Sequence, residues 1–312
     1  MKKILAMAAV VALTAGVSGY AANVNDNVKF SGDVNVKYLN AKNYNPIATR
    51  VRLQADADLT DEVAVSGRVA FSNLFNVDNN DVKHVALDRL HVVYSPAQVE
   101  GLKFDLGRTD ITLGSDKDIF NNFDNSFDGA VVSYAKDRYA VEAGCGKVRL
   151  VEYRNMFNNL NDKDNVGYLK GSFDVNNQVK VGGFFVRSLG ENKVNAYGIN
   201  ADADVAENVS VFGEIVKIDA SEDPTIKVIG VKYGNANDTV GSWEAKLKYY
   251  DADYDVRFDG LELLGDKSMW KAEAKATVYE DVTLKAALEF NIKNARGVKY
   301  DNTWLMELNY AF

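Results

Sequence analysis

Alternation is the feature that most constrains this chain. In "WKAEAKATV", Trp270, Ala272, Ala274, Ala276 and Val278 fall on one side of an extended backbone, and Lys271, Glu273, Lys275 and Thr277 fall on the other. "DVTLKAALEFNI" repeats the pattern, with Val282, Leu284, Ala286, Leu288, Phe290 and Ile292 on its dry side. The closing "NTWLMELNYAF" does the same with Trp304, Met306, Leu308, Tyr310 and Phe312. A period of two held over ~10 residues specifies a strand with one dry and one wet face.

The same reading predicts strands at 28–38, 48–59, 63–73, 84–94, 101–112, 129–134, 139–150, 166–174, 179–187, 194–204, 209–218, 225–233, 240–250, 269–278, 282–292 and 302–312. The count is even, as in single-chain bacterial outer-membrane barrels. Connections after even strands are mostly tight, such as "TDE", "AKD", "NNQ", "AEN" and "YED". Those after odd strands are often long, such as "NLFNVDNND", "GSDKDIFNNFDNSF" and "VEYRNMFNNLNDKDN". Short turns at one rim and long loops at the other predict a transmembrane antiparallel up-and-down β-barrel, all-β, of about 16 strands. Its turns are periplasmic and its loops extracellular. The last strand must close against the first, because an open sheet edge in hydrocarbon leaves backbone groups unpaired.

The first residues agree with export. "MKKILAMAAVVALTAGVSGYAA" has two lysines, a short apolar run and then small residues, the layout of a secretory signal peptide with cleavage expected after Ala21. The remainder, 22–312, is expected to be one barrel domain. Two of the 36 basic residues leave with the leader, so the net charge goes from −8 to −10 and a nucleic-acid partner is not expected. No later stretch approaches the ~18 apolar residues of a membrane helix. With one Cys and two His, a disulfide, a multi-cysteine metal site or elaborate imidazole chemistry has little material.

At this point the chain resembles the general bacterial porins, the sixteen-stranded trimeric class. The stretches that carry the likeness are "LDRLHVVY" at 87–94, "GLKFDLGRTDITLG" at 101–114, "NSFDGAVVSYAKD" at 125–137 and the terminal "LNYAF". The resemblance implies a homotrimer in the outer membrane and passive diffusion of ions and small hydrophilic solutes, without catalysis or cofactor. It also implies that residues 114–128 fold into the barrel as a constriction, and that Tyr310 and Phe312 belong to an assembly signal. The acidic "PEF" triplet common in enterobacterial members is absent.

The candidate lining follows from parity. With Val51, Leu53, Ala55 and Ala57 toward lipid, Arg50 and Arg52 face the lumen, and so by the same logic do Arg68 and Arg89. An arginine on the lipid face would cost ~2–4 kcal/mol at the midplane. Arg108 shares parity with Phe104 and Leu106, so it needs a bulge or the start of the loop to turn inward. In the loop, Phe120, Phe123 and Phe127 recur at helical spacing, with Asp116 or Asp118 as a cap. Asp124, with Asp116 and Asp128 nearby, is then expected in the lumen opposite the arginines, a charged selectivity device. An alternative class is a surface or structural barrel, or a barrel hydrolase built on His84, His91 and Asp88. "GCG" at 144–146 carries no nucleotide chemistry, and "NDKDNVG" lacks the distal acid of a calcium loop.

Overall fold

The computed structural model describes residues 28–40, 45–75, 82–114, 126–148, 165–189, 195–219, 225–253 and 267–312. The expected leader, the acidic positions Asp116, Asp118 and Asp124, and the side chain of His84 lie outside the described residues.

Sixteen strands form one closed antiparallel barrel, each paired with its neighbours in sequence and β1 with β16. They are β1 Val28–Asn40, β2 Ile47–Asp58, β3 Val63–Phe75, β4 Val82–Tyr94, β5 Leu102–Asp110, β6 Ser126–Lys136, β7 Tyr139–Val148 and β8 Asn165–Asp174. They continue with β9 Val179–Ser188, β10 Asn195–Ala206, β11 Val209–Asp219, β12 Thr225–Gly234, β13 Trp243–Ala252, β14 Lys267–Tyr279, β15 Val282–Asn294 and β16 Thr303–Ala311. Three hairpins at the short-turn rim place Asp137, Asn208 and Asp281 at φ of 51°, 60° and 58°. Asp and Asn tolerate this left-handed conformation, which matches the twist of the flanking strands.

The outer face is apolar and carries aromatics near both ends. Tyr94 stacks on Phe104 at 6.1 Å, Tyr233 meets Trp243 at 5.5 Å and Tyr310 meets Phe312 at 5.8 Å, all by the short-turn rim. At the other rim Tyr38 meets Trp304 at 5.2 Å and Tyr249 meets Trp270 at 5.1 Å. Rings at the two boundaries of an apolar band form the interfacial girdles of a membrane barrel.

Closure is explicit. β1 and β16 pair from Asp33↔Ala311 to Asn40↔Trp304. The ladder extends one step further, with Gly32 N donating to Phe312 O at 2.8 Å and Phe312 N to Gly32 O at 3.0 Å. A Cβ on Gly32 would overlap Arg52 O and lie 2.6 Å from the Phe312 ring, so this seam needs glycine.

β15 and β4 depart from strict alternation where it bears on the inner wall. Asn291, at φ 53°, shifts the pairing of β15 against β14. Ile292, expected with Phe290 on the dry outer row, is instead turned inward and 6% exposed. In β4 the register shifts at Asp88, with Arg68↔Arg89 followed by Val69↔Leu87. A bulge of this kind inserts one residue and re-aims its neighbours. The inner face is also less uniformly polar than alternation suggests. Val166, Tyr168, Phe184, Val216, Ile226, Tyr250 and Met269 form one buried cluster inside the barrel.

Candidate functional site

The wall made by β1–β5 carries the charge. Arg50, Arg52, Arg68 and Arg89 alternate with the outward rows of β2, β3 and β4, and each is met by a carboxylate of the same wall. Arg52 Nε donates to Asp33 Oδ2 at 2.6 Å, and Arg50 lies 3.8 Å from Asp33 Oδ1. Arg68 Nε reaches Asp88 at 2.9 Å and its Nη2 reaches Asp110 at 3.2 Å. Arg89 Nη2 also pairs with Asp110, while its Nη1 donates to Gln54 Oε1 at 3.3 Å. Charge-assisted forks of this kind are the strong class of hydrogen bond. Alternation alone held the signal for Asp33, an odd position of β1 beside Asn35 and Lys37. Asp88 and Asp110 needed the bulge and the bend, which no local pattern announces.

Asp110 marks where β5 leaves the wall. The strand expected to run to 112 stops at Asp110, and residues 111–114 cross into the barrel. Ile111 and Leu113, 4% and 2% exposed, join the inward apolar cluster. Lys170 on β8 donates to Thr112 O at 2.9 Å. Gly114, at φ +78°, abuts Glu214 of β11, where a Cβ would overlap the carboxylate. The segment thus starts on β5, is bonded by a side chain of β8 and lies against one of β11. The inward path expected from residue 114 onward begins earlier, at Ile111.

Arg108 and Asp128 differ from expectation. Arg108 is in register with Leu90 and Asp128 and stays in the outward row of Phe104 and Leu106. Its Nε and Nη2 donate to the two oxygens of Asp128 at 2.6 and 2.9 Å, and its Nη1 to Leu87 O at 2.6 Å. β6 begins before residue 128, so alternation sends Phe127, fully buried, inward and Asp128 outward with Ala130 and Val132. Neither residue lines the lumen. The pair borders a shallow outer groove with Leu87, Leu90 and Leu106.

The wall of β13–β15 holds a second set of charges. Lys248 and Lys285 lie 2.7 and 2.8 Å from Glu273, with Lys271 at 3.8 Å. Lys248, Lys271 and Glu273 are all at least nine-tenths buried. His91 pairs through Nδ1 with Asp105 at 2.7 Å, and its Nε2 is buried without a hydrogen-bond partner. Among the described residues, no serine hydroxyl hydrogen-bonds to it. Among the described residues, no group of three or more metal-ligating side chains is gathered.

No protein-family model matches the chain, and no curated protein sequence does. Solved structures do. Pseudomonas putida OprB at high pH is 13% identical, with a TM-score of 0.68 over 92% of this chain and 94% of that one. Salmonella typhi OmpF in complex with daunomycin is 12% identical, with a TM-score of 0.60 over 92% and 98%. A mutant of the Rhodopseudomonas blastica porin is 9% identical, with a TM-score of 0.60 over 91% and 100%. At these identities the likeness is one of architecture: the chain has the barrel fold of OprB, OmpF and the Rhodopseudomonas blastica porin.

Proposed function

We infer that this protein is an outer-membrane porin, a water-filled channel through which ions and small hydrophilic solutes diffuse passively. One observation carries the reading above the others: a closed barrel with an apolar, aromatic-girdled exterior has a charged inner wall, narrowed by a segment that enters from β5. A surface or structural barrel has no need to hold Arg52, Arg68 and Arg89 inside, or to bond a crossing segment to Lys170. Export with cleavage after Ala21 and assembly as a homotrimer belong to the same reading. The acidic loop positions Asp116, Asp118 and Asp124 are proposed to continue the crossing segment toward the arginine wall. Because Arg52, Arg68 and Arg89 already have carboxylates on their own wall, the ion preference is expected to be modest.

The test is electrical. Purified protein reconstituted in a planar bilayer should give stepwise, ohmic conductance increments, and proteoliposomes should swell in solutions of small sugars or amino acids. A folded barrel that inserts and passes neither ions nor solutes refutes the reading. Native mass measurement in mild detergent tests the trimer, and monomers alone would overturn it.

A further inference from the structure

Among the described residues, the seam between β4 and β5 has the shortest of the sixteen ladders. It runs only from Tyr94↔Phe104 to Leu90↔Arg108. β4 continues beyond it to Val82, while β5 stays paired with β6 as far as Asp110↔Ser126. Past Leu90 the two strands part, because β5 turns into the lumen. Gly107, at φ +128°, pairs with His91 one step before the last pair of that seam, where a Cβ would overlap Leu90 O. The upper part of β4 therefore faces no strand on that side among the described residues.

Side chains take over where the ladder stops. On the inner side, Asp110 is held by Arg68 of β3 and Arg89 of β4. On the outer side, the Arg108 guanidinium donates to Leu87 O, the carbonyl next to the Asp88 bulge, and to both carboxylate oxygens of Asp128. One planar group thus bridges β4, β5 and β6. A guanidinium suits the task because its donors diverge in one plane, whereas an ammonium offers a single point. A charge in the apolar band is tolerated only when it is paired and its donors are used, and Asp128 and Leu87 O provide both.

We propose that Arg108 is a positioning residue of the channel rather than a charge in its lining. From the membrane side it clamps the split between β4 and β5, and so fixes where residues 111–114 depart into the lumen. Its electrical consequence rests on the porin reading, while its structural consequence does not.

The experiment separates the two. In a Cys145→Ala background, Leu113→Cys places a thiol where the native side chain is 2% exposed. Its reaction with a membrane-impermeant maleimide is followed in otherwise unchanged protein and in Arg108→Gln, Arg108→Lys and Asp128→Asn. A buried thiol reacts through local opening, so loosening the clamp should speed labelling about tenfold or more in Arg108→Gln, with a smaller rise in Arg108→Lys. In bilayers the same variants should show larger or noisier single-channel steps with an unchanged reversal potential under a salt gradient. A reversal-potential shift for Arg108→Gln as large as that for Arg52→Ala would put Arg108 in the conducting path and overturn the proposal. Protected Leu113→Cys with unaltered conductance would overturn it as well. If Arg108→Gln yields no folded barrel, the labelling of Asp128→Asn, which keeps the Leu87 bond, decides by the same criteria. A barrel that conducts nothing ends the porin reading, and the labelling rates still test the clamp.

Discussion

Removing Phe312 probes the closure of the barrel and separates backbone from ring. Deletion abolishes the two ladder bonds between Gly32 and Phe312, each contributing about 1 kcal/mol net where water competes. It also removes the ring contact with Tyr310, centroids 5.8 Å apart, worth about 1 kcal/mol beyond area burial. The expected loss is therefore about 3 kcal/mol. The Phe312→Ala variant keeps the backbone bonds and should lose roughly 1–2 kcal/mol. With a urea slope of about 3 kcal/mol/M for a chain of this size, deletion should lower the unfolding midpoint by about 1 M and Phe312→Ala by about half as much. The assay is equilibrium unfolding from detergent micelles, followed by tryptophan fluorescence and by the gel-mobility difference between folded and unfolded barrel. Equal losses in the two variants would refute the closure argument and shift the role of Phe312 to recognition of its ring. An unchanged midpoint after deletion would refute both.

Four further substitutions have expected outcomes. Arg52→Ala removes the nearer of Asp33's two cationic partners and should move the reversal potential toward cations, whereas Asp124→Asn should move it toward anions; each change is worth ~1 kcal/mol of ion energy at ~4 Å in water. A barrel indifferent to both substitutions would relocate the constriction. Gly114→Ala sets a side chain against the Glu214 carboxylate at a φ that costs other residues ~1–2 kcal/mol, so the crossing segment should shift and single-channel conductance rise; identical conductance would count against that contact. Arg68→Met leaves Asp88 buried without its main partner and should destabilise the barrel by about 3–5 kcal/mol, read as a lowered unfolding midpoint, while a change below 1 kcal/mol would mean water reaches Asp88.

The strands were legible because lipid outside and water inside enforce a period of two, and sixteen elements follow from that one rule. The inward placement of Arg50, Arg52, Arg68 and Arg89 came from the same rule. It misled where the backbone breaks step. At Asn291 a left-handed residue turned Ile292 inward, and at Asp88 a bulge inserted a carboxylate beside Arg68. The porin resemblance carries Asp128 into the constriction segment 114–128, whereas hydrogen bonds to β5 draw it into the ladder. For Arg108 parity pointed outward from the start. Only the cost of a lone arginine in lipid argued for the lumen, and Asp128 removes that cost. Partners on neighbouring strands, such as Asp33 for Arg52, depend on register, which the sequence of one strand does not contain.

The apolar cluster inside the barrel has a consequence for the shape of the passage. Side chains such as Val216, Ile226 and Tyr250 are wholly buried, so they border no water. At that height the inner surface of β8–β15 packs like the interior of a soluble domain, while the arginines stand on the wall of β2–β4. Substitutions therefore sort by longitude around the cylinder. Polar replacements on the filled side should erode thermal robustness without touching permeation, and those at the less buried Arg52 and Arg89 of the opposite meridian should retune permeation at less cost to folding than Arg68→Met. A barrel with such a division can drift in solute preference along one sector while the other keeps it standing.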